Sequence, residues 1–360
     1  MKILSVSGKF LSQPVTGVQR YSAAIVQGWD QGLEEGWIDR QRYSIRLIVP
    51  RKILREPGYK QIEIVRSSTQ GRYWEQVELS WRARGTLLFS PYAAAPLFKA
   101  RHAVTIHDAA AAAAPQQYSF SFRAYCFVVF RTLGRVCNPV FTDSEFSKRE
   151  LNRYFSVPLK KMTVIPPACD HLLPIPGDPS ILERSGLEKG RYVLGVSSQS
   201  LIKNFEGLAR AWNQVRTPGI KLAIAGKKHE RLFRAGDSER DDNVVKLGYV
   251  SDSELRSLYE NAALFVYPSF YEGFGIPPVE AMSCGCPVVV ARSSSLPEAC
   301  GDAAVYCDPS DTVDIARCIA RVLEDAAFAQ ELREKGRKQA ALFTTRDTAQ
   351  RVWHELEPYI

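Results

Sequence analysis

Phe270-Tyr271-Glu272-Gly273-Phe274-Gly275-Ile276-Pro277-Pro278-Val279-Glu280 places two carboxylates on either side of a glycine-rich turn that runs into a helix. Pro277 and Pro278 suit a first helical turn, where a missing N–H costs nothing. Ala281-Met282-Ser283-Cys284 continue the pattern until Gly285, which permits a left-handed stop. The spacing therefore predicts a helix that begins just after Gly275, with Glu280 about one turn into it and Glu272 ahead of the turn. Gly273 and Gly275 let the backbone approach a ligand closely, and the free N–H groups and dipole at the helix start favour an anion such as a diphosphate. Ionised carboxylates accept hydrogen bonds and repel phosphate. A ligand that reaches both of them carries phosphates in its middle and hydroxyl-rich groups at its ends, which is the layout of a nucleotide sugar.

Outward from this stretch, short apolar runs alternate with helical patterns, which argues for parallel sheets built from strand–helix–strand units. Strands are expected near Ile3 to Ser7, Ile45 to Val49, Leu87 to Ser90, Val104 to His107, Val140 to Thr142 and Thr163 to Ile165, with helices over Tyr21 to Trp29, Arg123 to Arg135 and Glu145 to Tyr154. The turn-rich stretch from Pro166 to Pro179 reads as a linker. Beyond it strands are expected at Tyr192 to Val196, Lys221 to Ala225, Val244 to Leu247, Leu264 to Tyr267 and Val288 to Val290. Helices fall at Phe205 to Gln214, Asp252 to Asn261 and Pro278 to Cys284, and Ser251-Asp252-Ser253-Glu254 is a capping box. Open parallel sheets bind ligands beyond the carboxyl ends of their strands, where Gly17, His107, Ser144, Ser197, Gly226 and Glu272 are placed by this reading. Ala109 to Ala114 reads either as a roomy or mobile acceptor pocket or as a plain helical turn.

Glu272 and Glu280 with seven residues between them, followed by Ala281-Met282-Ser283-Cys284-Gly285-Cys286-Pro287-Val288-Val289-Val290 and Leu296-Pro297-Glu298, resemble the signature of family 4 retaining glycosyltransferases. Thr16-Gly17-Val18-Gln19-Arg20-Tyr21, Ile106-His107-Asp108, Thr142-Asp143-Ser144-Glu145-Phe146-Ser147-Lys148, Val164-Ile165-Pro166-Pro167 and Lys203-Asn204 follow that family's order at similar spacings. The resemblance implies an α/β chain of GT-B architecture, two Rossmann-like domains whose parallel sheets face a central cleft. On that pattern residues 1–172 form the acceptor domain and residues 173–343 the donor domain, with 344–360 as a helix crossing back to the first.

It also implies roles. Glu280 takes ribose hydroxyls and Glu272 the hydroxyls of the sugar ring. Gly273, Phe274, Gly275 and Ile276 offer backbone N–H groups to the sugar and diphosphate. Lys203 holds the phosphates and stabilises the leaving diphosphate, His107 lies against the transferred sugar, and Gly17 lets the backbone approach the diphosphate. Family members often carry an arginine six residues before the lysine; here that position is Ser197, so Arg20 is a candidate to compensate. Val250 is a candidate for contact with the base. Asn204 reads as a cap of the following helix or as a donor contact, and Ser144 as a helix cap. The plainer readings are a surface carboxylate for Glu272, a helix-start charge for Glu280, a helix-start lysine for Lys203, a buried histidine for His107 and a turn glycine for Gly17. Lys203 is the cation that the leaving group requires, because no metal-binding motif is present and no cofactor is implied beyond the donor substrate.

Composition narrows the setting. At 360 residues the chain has length for two domains, and no stretch approaches the roughly 18 apolar residues of a membrane span. Met1 to Ser7 is too short an apolar run for a signal peptide, so a cytoplasmic location is expected. The eight cysteines show no framework spacing and read as reduced thiols. Residues 1–170 hold 24 Lys and Arg against 13 Asp and Glu, while the remainder is slightly acidic. The basic half interleaves arginines with aromatics in Arg72-Tyr73-Trp74, Trp81-Arg82-Ala83-Arg84 and Phe120 to Phe127. That mixture suits an anionic membrane face or a phosphate-bearing acceptor, with a solvated surface over core aromatics as the plain alternative. No nucleic-acid motif accompanies the charge. The expected activity is metal-independent, retaining transfer of a hexose such as mannose from a nucleoside-diphosphate sugar to a growing, lipid-linked surface polysaccharide. The rivals are a nucleotide-binding scaffold without turnover and a nucleotide-sugar epimerase.

Overall fold

The computed structural model describes residues 1–197, 200–215, 217–226 and 243–360, without the side chain of Ser197. The chain divides into two compact units, one of Met1–Ala168 with Thr345–Ile360 and one of Cys169–Thr344. The first holds a seven-stranded parallel sheet of β1 (Lys2–Ser7), β2 (Tyr43–Val49), β3 (Glu63–Arg66), β4 (Leu87–Ser90), β5 (His102–Thr105), β6 (Val140–Thr142) and β7 (Met162–Val164), in the order β3-β2-β1-β4-β5-β6-β7. The second holds six, β8 (Tyr192–Ser197), β9 (Lys221–Gly226), β10 (Val244–Gly248), β11 (Leu264–Tyr267), β12 (Val288–Ala291) and β13 (Val305–Cys307), in the order β10-β9-β8-β11-β12-β13. Central strands such as Leu264–Tyr267 and Val288–Ala291 are buried at every position, as expected where helices cover both faces of a parallel sheet.

In each sheet the strand order reverses once, between β1 and β4 and between β8 and β11. Neighbouring loops diverge at such a point and leave a crevice beyond the strand ends. The polar edge strand Glu63–Arg66 and Val305–Cys307, at three residues too short to show a period, were not among the expected strands. Two helices, Thr312–Glu324 and Ala326–Ala340, were not anticipated either. The expected strand at Val104 to His107 lies two residues earlier, so His107 stands in the loop after β5 rather than in the strand. The alanine run resolves into a helical turn, Ala110–Ala113, whose Ala109 is wholly buried.

The terminal helix Thr345–Leu356 belongs to the first unit. It crosses the helix Gly17–Glu35 at Gly28, where a Cβ would come within 2.4 Å of the Ala349 Cβ, so only glycine allows the approach. Trp29 donates from Nε1 to the Ala349 carbonyl at 2.8 Å and meets Trp353 edge-on at 5.9 Å. Tyr43 closes the other side, with its ring 5.3 Å from Trp353 and its hydroxyl donating to Glu357 at 2.8 Å. Removing the Trp353 ring from this packing is expected to cost the first unit about 3–5 kcal/mol. In denaturant unfolding followed by hydrogen exchange, Trp353→Ala should lower protection in β1 and β2 and leave β11 and β12 unchanged.

Candidate functional site

The quoted stretch begins after β11, and the segment carrying Lys203 follows β8, its hydrogen-bonded neighbour. Parallel pairing thus brings residues far apart in sequence to one strand-end locus. Lys203 closes the 3-10 turn Leu201–Lys203, and its Nζ donates to both Glu272 oxygens, at 2.6 and 2.9 Å. The two side chains are only 20% and 10% exposed, and the ammonium lies 5.3 Å from the centre of the Tyr267 ring. Burial pulls the Lys203 pKa down, but the adjacent Glu272 carboxylate outweighs it and holds the ammonium above its ordinary range. The residues expected to hold phosphate and sugar therefore hold each other.

The loop bearing Glu272 is tied to its surroundings chiefly by serines. Phe270 donates from its backbone to the Ile202 carbonyl at 2.8 Å, and the Ser269 hydroxyl donates to the same carbonyl at 3.1 Å. Ser293 donates to the Ser269 carbonyl at 2.8 Å, while the Ser294 hydroxyl accepts from the Glu272 backbone N–H at 2.9 Å. The Ser295 hydroxyl lies 2.9 Å from the carbonyls of both Glu272 and Phe274. Sequence reasoning passed over this serine triplet; its signal was three consecutive hydroxyls just after a strand end. Leu296 explains the next motif. It is fully buried beneath Gly275, whose φ is +107° and where a Cβ would meet Leu296 Cδ2 at 2.6 Å.

The helix starts at Ile276, as the sequence implied, and ends at Gly285 with φ +75°. Cys286 donates to the Ala281 carbonyl and Gly285 to that of Met282, the paired bonds of a Schellman stop. No hydrogen bond from the N–H groups of Phe274, Gly275 or Ile276 is found among the described residues, so the helix start retains open donors. The Phe274 side chain turns into the core against Phe343. Only Gly275 of the two turn glycines has positive φ. Glu280 is 4% exposed, accepts from the Tyr259 hydroxyl at 3.3 Å and lies 3.2 Å from His171 Nε2.

Three expectations need correction in detail. Asn204 precedes the helix Phe205–Trp212 in a left-handed backbone (φ +54°), but its side chain makes no cap hydrogen bond; the amide packs over Gly207 and Nδ2 donates to the Pro309 carbonyl at 2.6 Å. Gly17 is not in a loop: it is the first residue of its helix, whose start is fixed by Gln19 accepting from the Thr16 N–H at 3.1 Å. Strand β8 extends one residue beyond the expected Val196 to end at Ser197, whose side chain lies outside the described residues. Val250 is partly buried against the core of the second unit, beside a largely exposed Tyr249. Ser144 caps the helix Glu145–Phe155 as expected, accepting from the Ser147 N–H at 2.9 Å.

In the first unit, His107 and Asp143 follow the paired strands β5 and β6. His107 Nδ1 lies 2.9 and 3.0 Å from the two Asp143 oxygens, and an edge-on Tyr21 ring sits 4.9 Å away. Because a carboxylate only accepts, Nδ1 carries the proton. Nε2 is buried and makes no hydrogen bond of regular geometry among the described residues, although the Pro91 carbonyl is close enough to favour the imidazolium. Burial works against the imidazolium, but Asp143 overrides it and raises the His107 pKa above 6.5. His102, buried on β5 beside Ser90 and Cys137, goes the other way: burial, reinforced by Lys99, depresses it to about 3. Asp143 was quoted within a motif but assigned no part; its value lay in its register against the strand before His107.

With this geometry in hand, the comparisons with known proteins fall into place. Residues 179–339 match the model of the family described as glycosyl transferases group 1. The O-antigen chain mannosyltransferase B of Escherichia coli is 35% identical over 216 residues, 57% of this chain and 56% of that protein. The O-antigen chain mannosyltransferase RfbU of Salmonella typhimurium is 29% identical over 217 residues, 58% of this chain and 57% of the relative. The chain thus spans little more than half the length of these relatives, and a fifth of the E. coli serotype-specific mannosyltransferase WbdA. Among solved structures, Anabaena HepE in complex with UDP-glucose superposes with a TM-score of 0.73 at 18% identity, covering 99% of this chain and all of that one. The lipopolysaccharide glycosyltransferase WaaG gives 0.69 at 13% identity, covering 97% and 98%. The chain has the GT-B fold of these proteins.

The two histidines give a direct check. In an NMR pH titration His107 should titrate above 6.5 and His102 should show no transition between pH 5 and 8. Asp143→Asn should bring the His107 midpoint down. Because its folded pKa is raised, His107 contributes stability that is complete below pH 6.5 and is lost as pH rises through the folded value. Wild type should therefore lose, on going from pH 6 to 9, a stability increment that His107→Gln lacks.

Proposed function

We propose that this protein is a retaining glycosyltransferase that moves a hexose, mannose in the simplest case, from a nucleoside-diphosphate sugar to a growing, lipid-linked surface polysaccharide without a metal ion. The observation that carries this reading is the buried Lys203–Glu272 pair beside the open N–H groups at Ile276. A diphosphate drawn to that helix start competes with Glu272 for the Lys203 ammonium. As the ammonium turns to phosphate, the Glu272 carboxylate is released to accept from sugar hydroxyls. Breaking a buried pair costs on the order of 3–5 kcal/mol if one partner is left alone, so the exchange is favourable only when both ends of the ligand are present. Lys203 then supplies positive charge where the departing diphosphate gains negative charge, the role a metal plays elsewhere.

Glu272 is bound to Lys203 and, on this reading, occupied with ring hydroxyls, so no carboxylate is assigned as nucleophile for double displacement. A same-face reaction in which the leaving phosphate takes the acceptor proton follows. In the first unit, His107 is the group proposed to face the transferred sugar, and Gly17 opens a second helix start for the diphosphate. The names of the mannosyltransferase relatives and the UDP-glucose complex of HepE support the substrate class. A scaffold that binds nucleotide without turnover is the rival.

A peripheral membrane position is part of the proposal. Among the described residues no helix is long and apolar enough to cross a membrane. The first unit nevertheless exposes Trp81, Phe98, Phe120 and Val128 by more than half, with Arg82, Arg123 and Arg131 close in sequence. The segments meet where the Arg72 guanidinium lies 5.2 Å from the Tyr125 ring, at a cavity of about 310 Å³. Anionic lipid headgroups suit that mixture of rings and guanidinium groups.

Lys203→Ala and Glu272→Gln should each lower kcat for sugar transfer about 10²–10³-fold; nucleotide binding with no turnover in the wild type would favour the scaffold. Transfer should survive EDTA, and complete loss reversed by magnesium would remove the metal-free claim. In flotation with anionic liposomes the protein should rise at low salt and remain behind at 0.5 M salt, because about 0.5 M shortens the screening length to a few ångström.

A further inference from the structure

Glu280 sits inside a built arrangement rather than at the mouth of its helix alone. The Tyr259 hydroxyl donates to Oε2 at 3.3 Å, and His171 Nε2 lies 3.2 Å from Oε1. Tyr259 is fully buried, and the His171 and Glu280 side chains are 18% and 6% exposed. Tyr259 holds one oxygen by a hydrogen bond, and the His171 ring stands at ion-pair distance from the other without hydrogen-bond geometry, so a protonated imidazole there draws that oxygen electrostatically.

His171 is itself held from two directions. Leu172, the next residue, is fully buried in the core of the second unit. The Arg256 guanidinium donates to the Leu173 and Ile175 carbonyls at 2.6 Å each, fastening the chain that follows His171. Before it, the Cys169 N–H donates to the Phe343 carbonyl at 2.8 Å. Arg256 and Tyr259 lie on one helix, Asp252–Asn261, which therefore aims Glu280 twice, directly through Tyr259 and indirectly through the segment bearing His171.

We propose that His171 is a positioning residue for the pentose of the nucleotide, orienting the Glu280 carboxylate so that it accepts from ribose hydroxyls. This rests on the reading above in which Glu280 meets the ribose. A hydrogen bond to a ribose hydroxyl is directional, and a carboxylate free to rotate would make it only part of the time. Here the two oxygens have different neighbours, a Tyr259 hydrogen bond on one and the His171 ring at ion-pair distance from the other, on the helix whose first turn keeps open N–H donors.

The test compares GDP and UDP with their 2′-deoxy counterparts, by calorimetry on the full-length protein. Wild type should bind the ribose form of its preferred nucleotide at least tenfold more tightly than the deoxy form, and Glu280→Gln should bring that ratio near one. His171→Ala should reduce the ratio to threefold or less while changing deoxy affinity less than twofold, and His171→Gln, which restores a donor, should recover at least half of it. Where the alanine variant does not fold, by circular dichroism, His171→Asn, which is too short to reach Oε1, takes its place with the same expectation. Equal loss of affinity for both forms would assign His171 to a structural staple and overturn the inference. So would an unchanged ratio in the His171 variants while Glu280→Gln abolishes it, and the ribose reading would then stand. Absence of discrimination in wild type, or an unaltered ratio in Glu280→Gln, would remove that reading and the inference together.

Discussion

An ammonium and a carboxylate taken out of water at the ends of β8 and β11 govern the architecture of the second unit. Neither tolerates burial alone, since an unpaired buried charge costs several kcal/mol. Lys203 is placed by a 3-10 turn and Glu272 by a loop with no regular structure, so the loop needs its own framework. Ser269, Ser293, Ser294 and Ser295 supply it through short hydrogen bonds to backbone groups, and Gly275 lets the chain bend over the fully buried Leu296. The ion pair is thus a consequence of strand adjacency, kept in register by hydroxyls that carry no charge of their own.

The first unit solves a similar problem with an imidazole. His107 and Asp143 also follow neighbouring parallel strands, and there too a carboxylate favours the charged form of a buried base, here a histidine. Five residues earlier His102 is buried beside Ser90 and Cys137 with the Lys99 cation near, and it is driven to the neutral form. Burial is common to both rings. The presence of an acid decides which one carries charge near neutral pH.

The helix at Ile276, its proline-tolerant first turn and its stop at Gly285 were legible because each depends on local backbone chemistry at named residues. The central strands were legible for the same reason: unbroken runs such as Val288–Ala291 fit a strand covered on both faces. Edge elements were not, because Glu63–Arg66 is half exposed and its composition competes with a loop reading. Partnerships were the least accessible. Asn204 has the composition of a cap, but its amide makes no cap hydrogen bond and donates to Pro309 instead. The contact of His171 with Glu280 joins residues more than one hundred positions apart, and no local spacing announces it.

Charge balance gives the glycine turn further weight. With Ser197 where a second cation would be expected, Lys203 and Glu272 nearly cancel in the ligand-free state. A diphosphate entering such a locus on the proposed reading brings at least two negative charges against one ammonium. Dipoles contribute on that reading as well, namely the open N–H groups of Phe274, Gly275 and Ile276 and the helix behind them, which act as about half a positive charge. Those donors converge only because Gly275 adopts φ +107°, a conformation that a side chain resting on Leu296 would forbid. A turn that aims backbone dipoles in this way is correspondingly intolerant of change.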